Sequence, residues 1–408
     1  MNNEPVTRTG NPAITILSTA DFDNPIWTNK QHLAQGLSRT HKVYYLNSLG
    51  LRSPRLNRTD IGRIFRRLVP RRRRQTVTKD RVVANGNQSV HVLSPKVLPF
   101  HRWRLVRKIN RYLLMRFIRK NIPSQHRDVL WTFSPMTYGI ERLFDANVYH
   151  SVDLLHTFPH TPAAVILTAE RQLVPIANEV IASSRGVHRH IEVSYGRSAL
   201  LWENVADTEL YSSYASSTPR NRVFFSGNLT PTKIDFDLLF ELADSGANLC
   251  IAGPVAIDGT EPTEEVKRLL KYSNVEYLGI LEPAELARQV GDSIVGIVPY
   301  LVNDHTRGIF PMKIYEYLAA GLNVLCTPLP SLVSAQLPEG ISIIPRGDFT
   351  SAALRSLDAF NAPDVNVRSS AAQPYSWTNR VRAAVDLVTE LSGSARRSST
   401  RLGSGRRD

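Results

Sequence analysis

Residues 304–328 read DHTRGIFPMKIYEYLAAGLNVLCTP and bring a lysine and a carboxylate to the start of one helix. Pro311 suits a first helical turn and Gly321 a helix stop. The first turn of a helix leaves backbone N–H groups unpaired and carries the positive dipole end, so it suits a phosphate. Lys313 adds a full charge. Glu316, three residues further on, shares its face and can accept hydrogen bonds from two ribose hydroxyls. The same residues also fit a plainer role, a glutamate favoured by the dipole beside a solvated lysine. SGNLTPTKIDFDLL at 226–239 offers a second site of this type. Gly227 lets the backbone approach a ligand, and Lys233 stands at the following helix start. An ordinary βα turn with a surface lysine would read alike.

These residues sit in a chain of 408 residues, 42% hydrophobic and 21% charged, enough for two or three ordinary cores. The composition excludes a collagen-like, disulfide-scaffold or wholly disordered protein. No apolar run approaches the ~18 residues of a membrane span, and the N-terminus lacks the pattern of a secretory signal. Cys250 and Cys326 lie in apolar strand-like segments and read as reduced, buried thiols of a cytosolic protein.

The net charge of +14 is unevenly placed. Residues 1–130 carry 26 basic and 6 acidic residues, residues 131–393 carry 19 and 29, and residues 394–408 carry five Arg and one Asp. Such asymmetry marks a face for something anionic. Two segments hold most of it, 52–74 and 101–120. In the second, Val106, Ile109, Leu113 and Phe117 fall on one side of a helix and Arg104, Lys108, Arg111 and Arg119 on another. A basic amphipathic helix suits an anionic lipid surface, with Trp103, Tyr112 and Phe117 at headgroup level. A core helix with a solvated basic face is the other reading.

The elements that must position the chemistry alternate. Strands are expected at 13–19, 42–48, 89–95, 128–134, 147–153 and 179–184, with helices between most of them. After a polar, Ser-rich stretch the alternation resumes, with strands at 222–228, 248–254, 274–280, 293–300 and 322–328. Helices at 233–245, 262–272, 282–290 and 311–320 lie between. Such alternation argues for parallel sheets covered on both faces. The expected class is α/β, two Rossmann-like domains facing a cleft, with ligands at the carboxyl ends of the strands. The expected organisation is a first domain over 11–202, a linker at 203–221, a second domain over 222–376, a helix at 377–393, and a disordered basic tail at 394–408.

The second half resembles the nucleotide-sugar domain of GT-B glycosyltransferases, in the superfamily whose helix reads P-x-K-x-x-E-x-x-A-x-G. Here these positions are Pro311, Lys313, Glu316, Ala319 and Gly321. GNLTPTK, IAGP, VEYLGIL and VPY follow in the family's order, and SWTNRV at 376–381 resembles its returning C-terminal helix. The resemblance implies donor contacts at Gly227, Asn228, Lys233, Gly253, Pro254, Gly279, Arg307, Lys313 and Glu316. It spans roughly 13–392 and is looser in the first half, where NPIWTNKQHLAQGLSRTHKVYYL matches the family's opening and ENVADTELY the entry to its linker. Pro25, Ile26, Trp27 and Thr28 replace the usual Gly-Gly loop. Gly308 stands where retaining members of the E-x7-E type carry a second glutamate. The arginine usual near the GNL turn is missing, and Arg307 is the expected replacement. In related enzymes a His or Asp ending an N-domain strand faces the reacting sugar. Here Asp153 is the candidate, with His156 the alternate.

The expected activity is transfer of a hexose from a nucleotide-diphosphate sugar to an acceptor hydroxyl, in cell-envelope polysaccharide or glycolipid synthesis. Lys233, Lys313, Arg307 and the helix start at 311 would stabilise charge on the departing diphosphate. No Asp/Glu/His metal cluster is visible in the sequence, so neither a metal nor another cofactor is expected. The expected partners are the nucleotide-sugar, a glycan or lipid-linked acceptor and, through 52–74 and 101–120, an anionic membrane face on the cytoplasmic side, with no nucleic acid. Two rivals share parts of this reading. A sugar-nucleotide epimerase has the same donor site without need of a basic face. A nucleic-acid-binding protein would explain the charge but not PMKIYEYLAAG.

Overall fold

The computed structural model describes residues 10–24, 27–50, 81–85, 88–158, 161–255 and 261–404. The basic segment 52–74 lies outside them, as do Pro25, Ile26 and His160. The chain divides into two units.

Unit 1 comprises residues 1–182, 188–201 and 381–408. Its strands are β1 (Ile14–Leu17), β2 (Val43–Leu46), β3 (Arg81–Asn85), β4 (Gln88–Leu93), β5 (Val129–Thr132), β6 (Ala146–Ser151), β7 (Glu179–Ala182) and β8 (Leu200–Leu201). They form one sheet in the order β3-β4-β2-β1-β5-β6-β7-β8. All pairs are parallel except β3 with β4. The inner strands are buried along their whole length, the expected result of helices on both faces. The order reverses between β1 and β5, which makes their carboxyl ends the binding position of a doubly wound sheet.

The first helix, Asn29–Leu37, starts on a capping box between Thr28 and Gln31. A Cβ on Gly36 would stand 2.2 Å from a Val381 methyl, so only glycine lets the C-terminal helix pack there.

The basic helix runs Arg104–Asn121. Its core face is Val106, Asn110, Leu114 and Ile118, at i, i+4 spacing. The expected stripe of Val106, Ile109, Leu113 and Phe117 is therefore corrected. Asn110 took the interior because both ends of its amide bond the backbone of Leu98, Oδ1 accepting at 2.8 Å and Nδ2 donating at 2.9 Å. Ile109 and Leu113 are turned outward, along with Trp103, Leu105 and Tyr112.

Unit 2 comprises residues 183–187 and 202–380. Its strands are β9 (Arg220–Ser226), β10 (Leu249–Ala252), β11 (Val275–Tyr277), β12 (Ser293–Val298), β13 (Asn323–Cys326) and β14 (Ile341–Ile343). The order is β11-β10-β9-β12-β13-β14, all parallel, and it reverses between β9 and β12. Cys250 and Cys326 are free and buried, and burial pushes the Cys250 thiol up to about 11.

Three boundaries differ from the sequence reading. Residues 203–221 are not a linker. They carry a helix, Thr208–Ser212, capped by Asp207. Ala206 and Tyr211 lie in the unit 2 core, and Ala206 bridges Ser376. The exposed serines masked those few buried anchors. Residues 183–187, expected within the first domain, group with unit 2, where the Ser184 hydroxyl donates to the Gly308 carbonyl at 2.9 Å. The last helix runs Trp377–Ser404 rather than stopping at 393, so the tail is helical as far as Ser404. Absence of an apolar period says nothing against extending a helix already begun, because nucleation is the costly step.

Candidate functional site

In unit 2 the chemistry gathers where the strand order reverses. Gly227 follows β9, Gly253 follows β10 and Gly279 follows β11, each with positive φ. A Cβ on Gly253 would stand 2.4 Å from the Gly227 carbonyl oxygen, and the Gly253 N–H donates to the Gly279 carbonyl at 2.7 Å. Three bare turns thus pack against one another at the carboxyl ends of β9, β10 and β11. The Lys313 stem crosses the first, its Cε 3.1 Å from where a Gly227 Cβ would stand.

Lys313 opens the helix Lys313–Ala319. This helix is held to β9 by the Tyr317 hydroxyl, which accepts from the Ser226 backbone N–H at 2.8 Å. Gly296 on β12 leaves room for the Tyr317 ring, which a Cβ would approach to 2.5 Å. Tyr300, just past β12, is buried, and Lys233 Nζ stands 4.8 Å from its ring centre. Burial alone would push the Tyr300 phenol up. The charges of Lys313 and Lys233, with a hydrogen bond from Lys233, outweigh it and hold the phenol below its ordinary value. Both lysines therefore act on one point beside the reversal in strand order.

Glu316 is half-buried on the same helix. Burial pushes its carboxyl up, Lys313 pulls it down, Asp207 pushes it up again, and a hydrogen bond from Tyr211 favours the ionised form. Asn228 is exposed, and the Pro254 carbonyl accepts from the Leu229 N–H at 3.0 Å, tying the two loops together. Arg307 is exposed on the loop before the helix, and its guanidinium pairs with Asp304. A shallow cavity lined by Arg220, Asn248 and Glu276 lies at the amino ends of β9–β11, the opposite edge of the sheet from the glycine turns.

In unit 1, Asp153 follows β6 by two residues and is half-buried. Its neighbour is a residue the sequence reading passed over. Lys30, on the first helix, is buried, and its Nζ stands 5.7 Å from the Phe133 ring centre just past β5. Burial pulls the Lys30 ammonium down, and the Asp153 charge offsets part of this. A lysine this buried needs a countercharge, and Asp153 supplies one. Nothing in the string TNKQHL separates Lys30 from a solvated lysine. Tyr300 and Tyr211 end the strings VPY and ENVADTELY, where nothing gives either tyrosine a role. His156 follows Asp153 on a short 3-10 turn, Leu155–Thr157. It lies against His190, ring centres 4.7 Å apart, and both stand close to Glu170. The expectation that no Asp/Glu/His cluster exists is thus corrected. Its three members come from three separate elements, so spacing in the sequence could not reveal it.

No protein-family model matches the chain. One curated relative is 28% identical over 222 residues, 51% of this chain and 54% of its own length. It is the "Putative teichuronic acid biosynthesis glycosyltransferase TuaH" of Bacillus subtilis strain 168. The chain therefore matches only about half the length of that relative. Among solved structures, sucrose-phosphate synthase from Thermosynechococcus elongatus superposes with a TM-score of 0.68 at 14% identity, covering 94% of this chain and 100% of that one. Anabaena HepE in complex with UDP and glucose superposes with a TM-score of 0.56 at 14% identity, covering 96% and 100%. Over nearly its whole length, then, the chain has the two-domain, parallel-sheet α/β fold of these GT-B structures.

Proposed function

We propose that the chain is a glycosyltransferase that moves a sugar from a nucleoside-diphosphate sugar to an acceptor hydroxyl in the synthesis of a cell-envelope polysaccharide or glycolipid. The observation that carries this reading is the Lys313 stem lying across the bare Gly227 turn at the reversal in strand order of unit 2, with Lys313 and Lys233 both acting on the buried Tyr300 beside it. Two cations beside turns without side chains suit a diphosphate, which needs charge and close backbone approach. Glu316 accepts the ribose hydroxyls. The TuaH likeness supports the envelope assignment, and the HepE complex makes UDP the first nucleotide to try.

In the reaction the bond from the anomeric carbon to the diphosphate oxygen breaks, and that oxygen takes the electron pair. Lys313 and Lys233 stabilise the charge that develops there. Arg307 would add to them by exchanging Asp304 for a phosphate. Asp153 takes the acceptor proton, with Lys30 as its buried countercharge, and His156 is the alternate base. No metal step is needed in this scheme. The outer face of the helix Arg104–Asn121 meets an anionic membrane surface, where Arg104, Lys108 and Arg111 stand exposed beside Leu105 and Tyr112.

The test is thermal unfolding of the full chain with a panel of nucleoside diphosphates, followed by transfer assays. A nucleotide at 100 times its Kd adds about 2.7 kcal/mol, which moves Tm by several degrees. Stabilisation by UDP or another nucleoside diphosphate, and release of that nucleotide only when an acceptor is present, is the expected result. No stabilisation by any of them overturns the reading. Stabilisation with isomerisation of the sugar and no transfer assigns the fold to an epimerase instead.

A further inference from the structure

We propose that His156, Glu170 and His190 form a binding site for one divalent transition-metal ion of the zinc type. One ligand atom from each lies within 4.8 Å of the other two. Two imidazoles and one carboxylate are the donor set of open zinc sites, which leave a fourth position for water.

Each residue is held by its own element. His156 sits on the 3-10 turn after β6, Glu170 on the helix Ala163–Leu173 and His190 on the helix Arg185–Tyr195. Glu170 is almost wholly buried. The Tyr149 hydroxyl donates to its Oε1 at 2.6 Å, and the Tyr195 hydroxyl donates to its Oε2 at 3.0 Å. Outer partners of this kind fix a metal-binding carboxylate.

His190 Nε2 stands 3.0 Å from Glu170 Oε2, and its Nδ1 stands 3.3 Å from the Ser194 hydroxyl. An ion would replace the proton between Nε2 and Oε2. The ring then keeps its one proton on Nδ1, donated to Ser194, the usual second contact of a ligating histidine. His156 brings an Nδ1 that is buried and without a hydrogen-bond partner, so coordination there breaks no existing bond. In a tetrahedral site with bonds of about 2.0–2.1 Å the ligand atoms stand roughly 3.4 Å apart, so from separations of up to 4.8 Å the triangle contracts by up to about 1.4 Å through side-chain rotation. Both histidines keep some exposure, which admits the ion and a water.

The experiment strips the full chain with a chelator, dialyses it against Zn²⁺ and counts bound zinc by elemental analysis. Co²⁺ is added in parallel for the visible bands of a tetrahedral site. One equivalent of zinc, with a rise in Tm, is expected. His156→Ala and His190→Ala should each weaken uptake at least tenfold, the lower end of what even an outer partner costs. The double variant should take up none while keeping its far-UV spectrum. His188→Ala, two residues along the same helix, should keep the full equivalent. A wild-type chain without stoichiometric zinc overturns the proposal, as does equal uptake by the double variant or loss in His188→Ala.

Discussion

In the proposed donor site Glu316 and Lys313 would answer to different parts of a nucleotide, and the difference is measurable. Glu316→Ala removes the carboxylate that Tyr211 hydrogen-bonds, and should weaken nucleoside and nucleoside diphosphate alike. Lys313→Ala removes a cation that acts on Tyr300, and should weaken the diphosphate while sparing the nucleoside. Isothermal calorimetry with UDP and uridine reads both, and unchanged affinities in both variants would dismiss the donor assignment. Asp153→Asn keeps the size and removes both the proposed base and the countercharge of Lys30. Turnover should fall about 10²–10⁴-fold, the usual worth of a general base, with UDP affinity nearly intact. His156→Ala should cost less. Normal turnover in Asp153→Asn with loss in His156→Ala, both measured on chain stripped of metal by a chelator, would exchange the two roles.

At the scale of the element, the helix Arg104–Asn121 serves two environments. One face, Val106 to Ile118, is committed to the core. The other carries Trp103, Leu105 and Tyr112 at 64%, 69% and 65% exposure among exposed arginines and lysines. A solvated basic face does not need large apolar side chains, and their exposure is what the proposed lipid contact rests on. Replacing Arg104, Lys108 and Arg111 with Gln should cut co-sedimentation with anionic vesicles, at about 1 kcal/mol per charge. Leu105→Ser with Tyr112→Ser should cut it too, although no charge changes. If only the arginine and lysine changes matter, the face reads charge alone and does not enter the headgroups. Among the described residues no helix is long and apolar enough to cross a membrane, so this contact would be a surface one.

For the molecule as a whole, the first 130 residues hold 26 basic and 6 acidic side chains, and residues 131–393 reverse the sign. Binding to anionic vesicles should therefore weaken steeply from 50 to 300 mM salt, as the Debye length shrinks from its ~10 Å at 0.1 M. Salt-insensitive binding would assign it to the apolar side chains only. Sequence alone was enough for the α/β class and for the inner strands, because apolar runs broken by helical periods admit few other folds, but not for β3, β8 and β14, of which β3 and β14 are edge strands and β8 spans two residues. It also marked Gly227, Lys233, Lys313 and Glu316, whose spacing is local. The register of the basic helix, the packing of 203–221 and the extent of the last helix required the tertiary structure. Each depends on which few side chains found buried partners, as Asn110 did on Leu98. The pairing of Lys30 with Asp153 and the meeting of His156, Glu170 and His190 are invisible along the chain for the same reason. They join residues far apart in sequence whose types, singly, belong as readily on the surface, and only the sheet order brings them to one place.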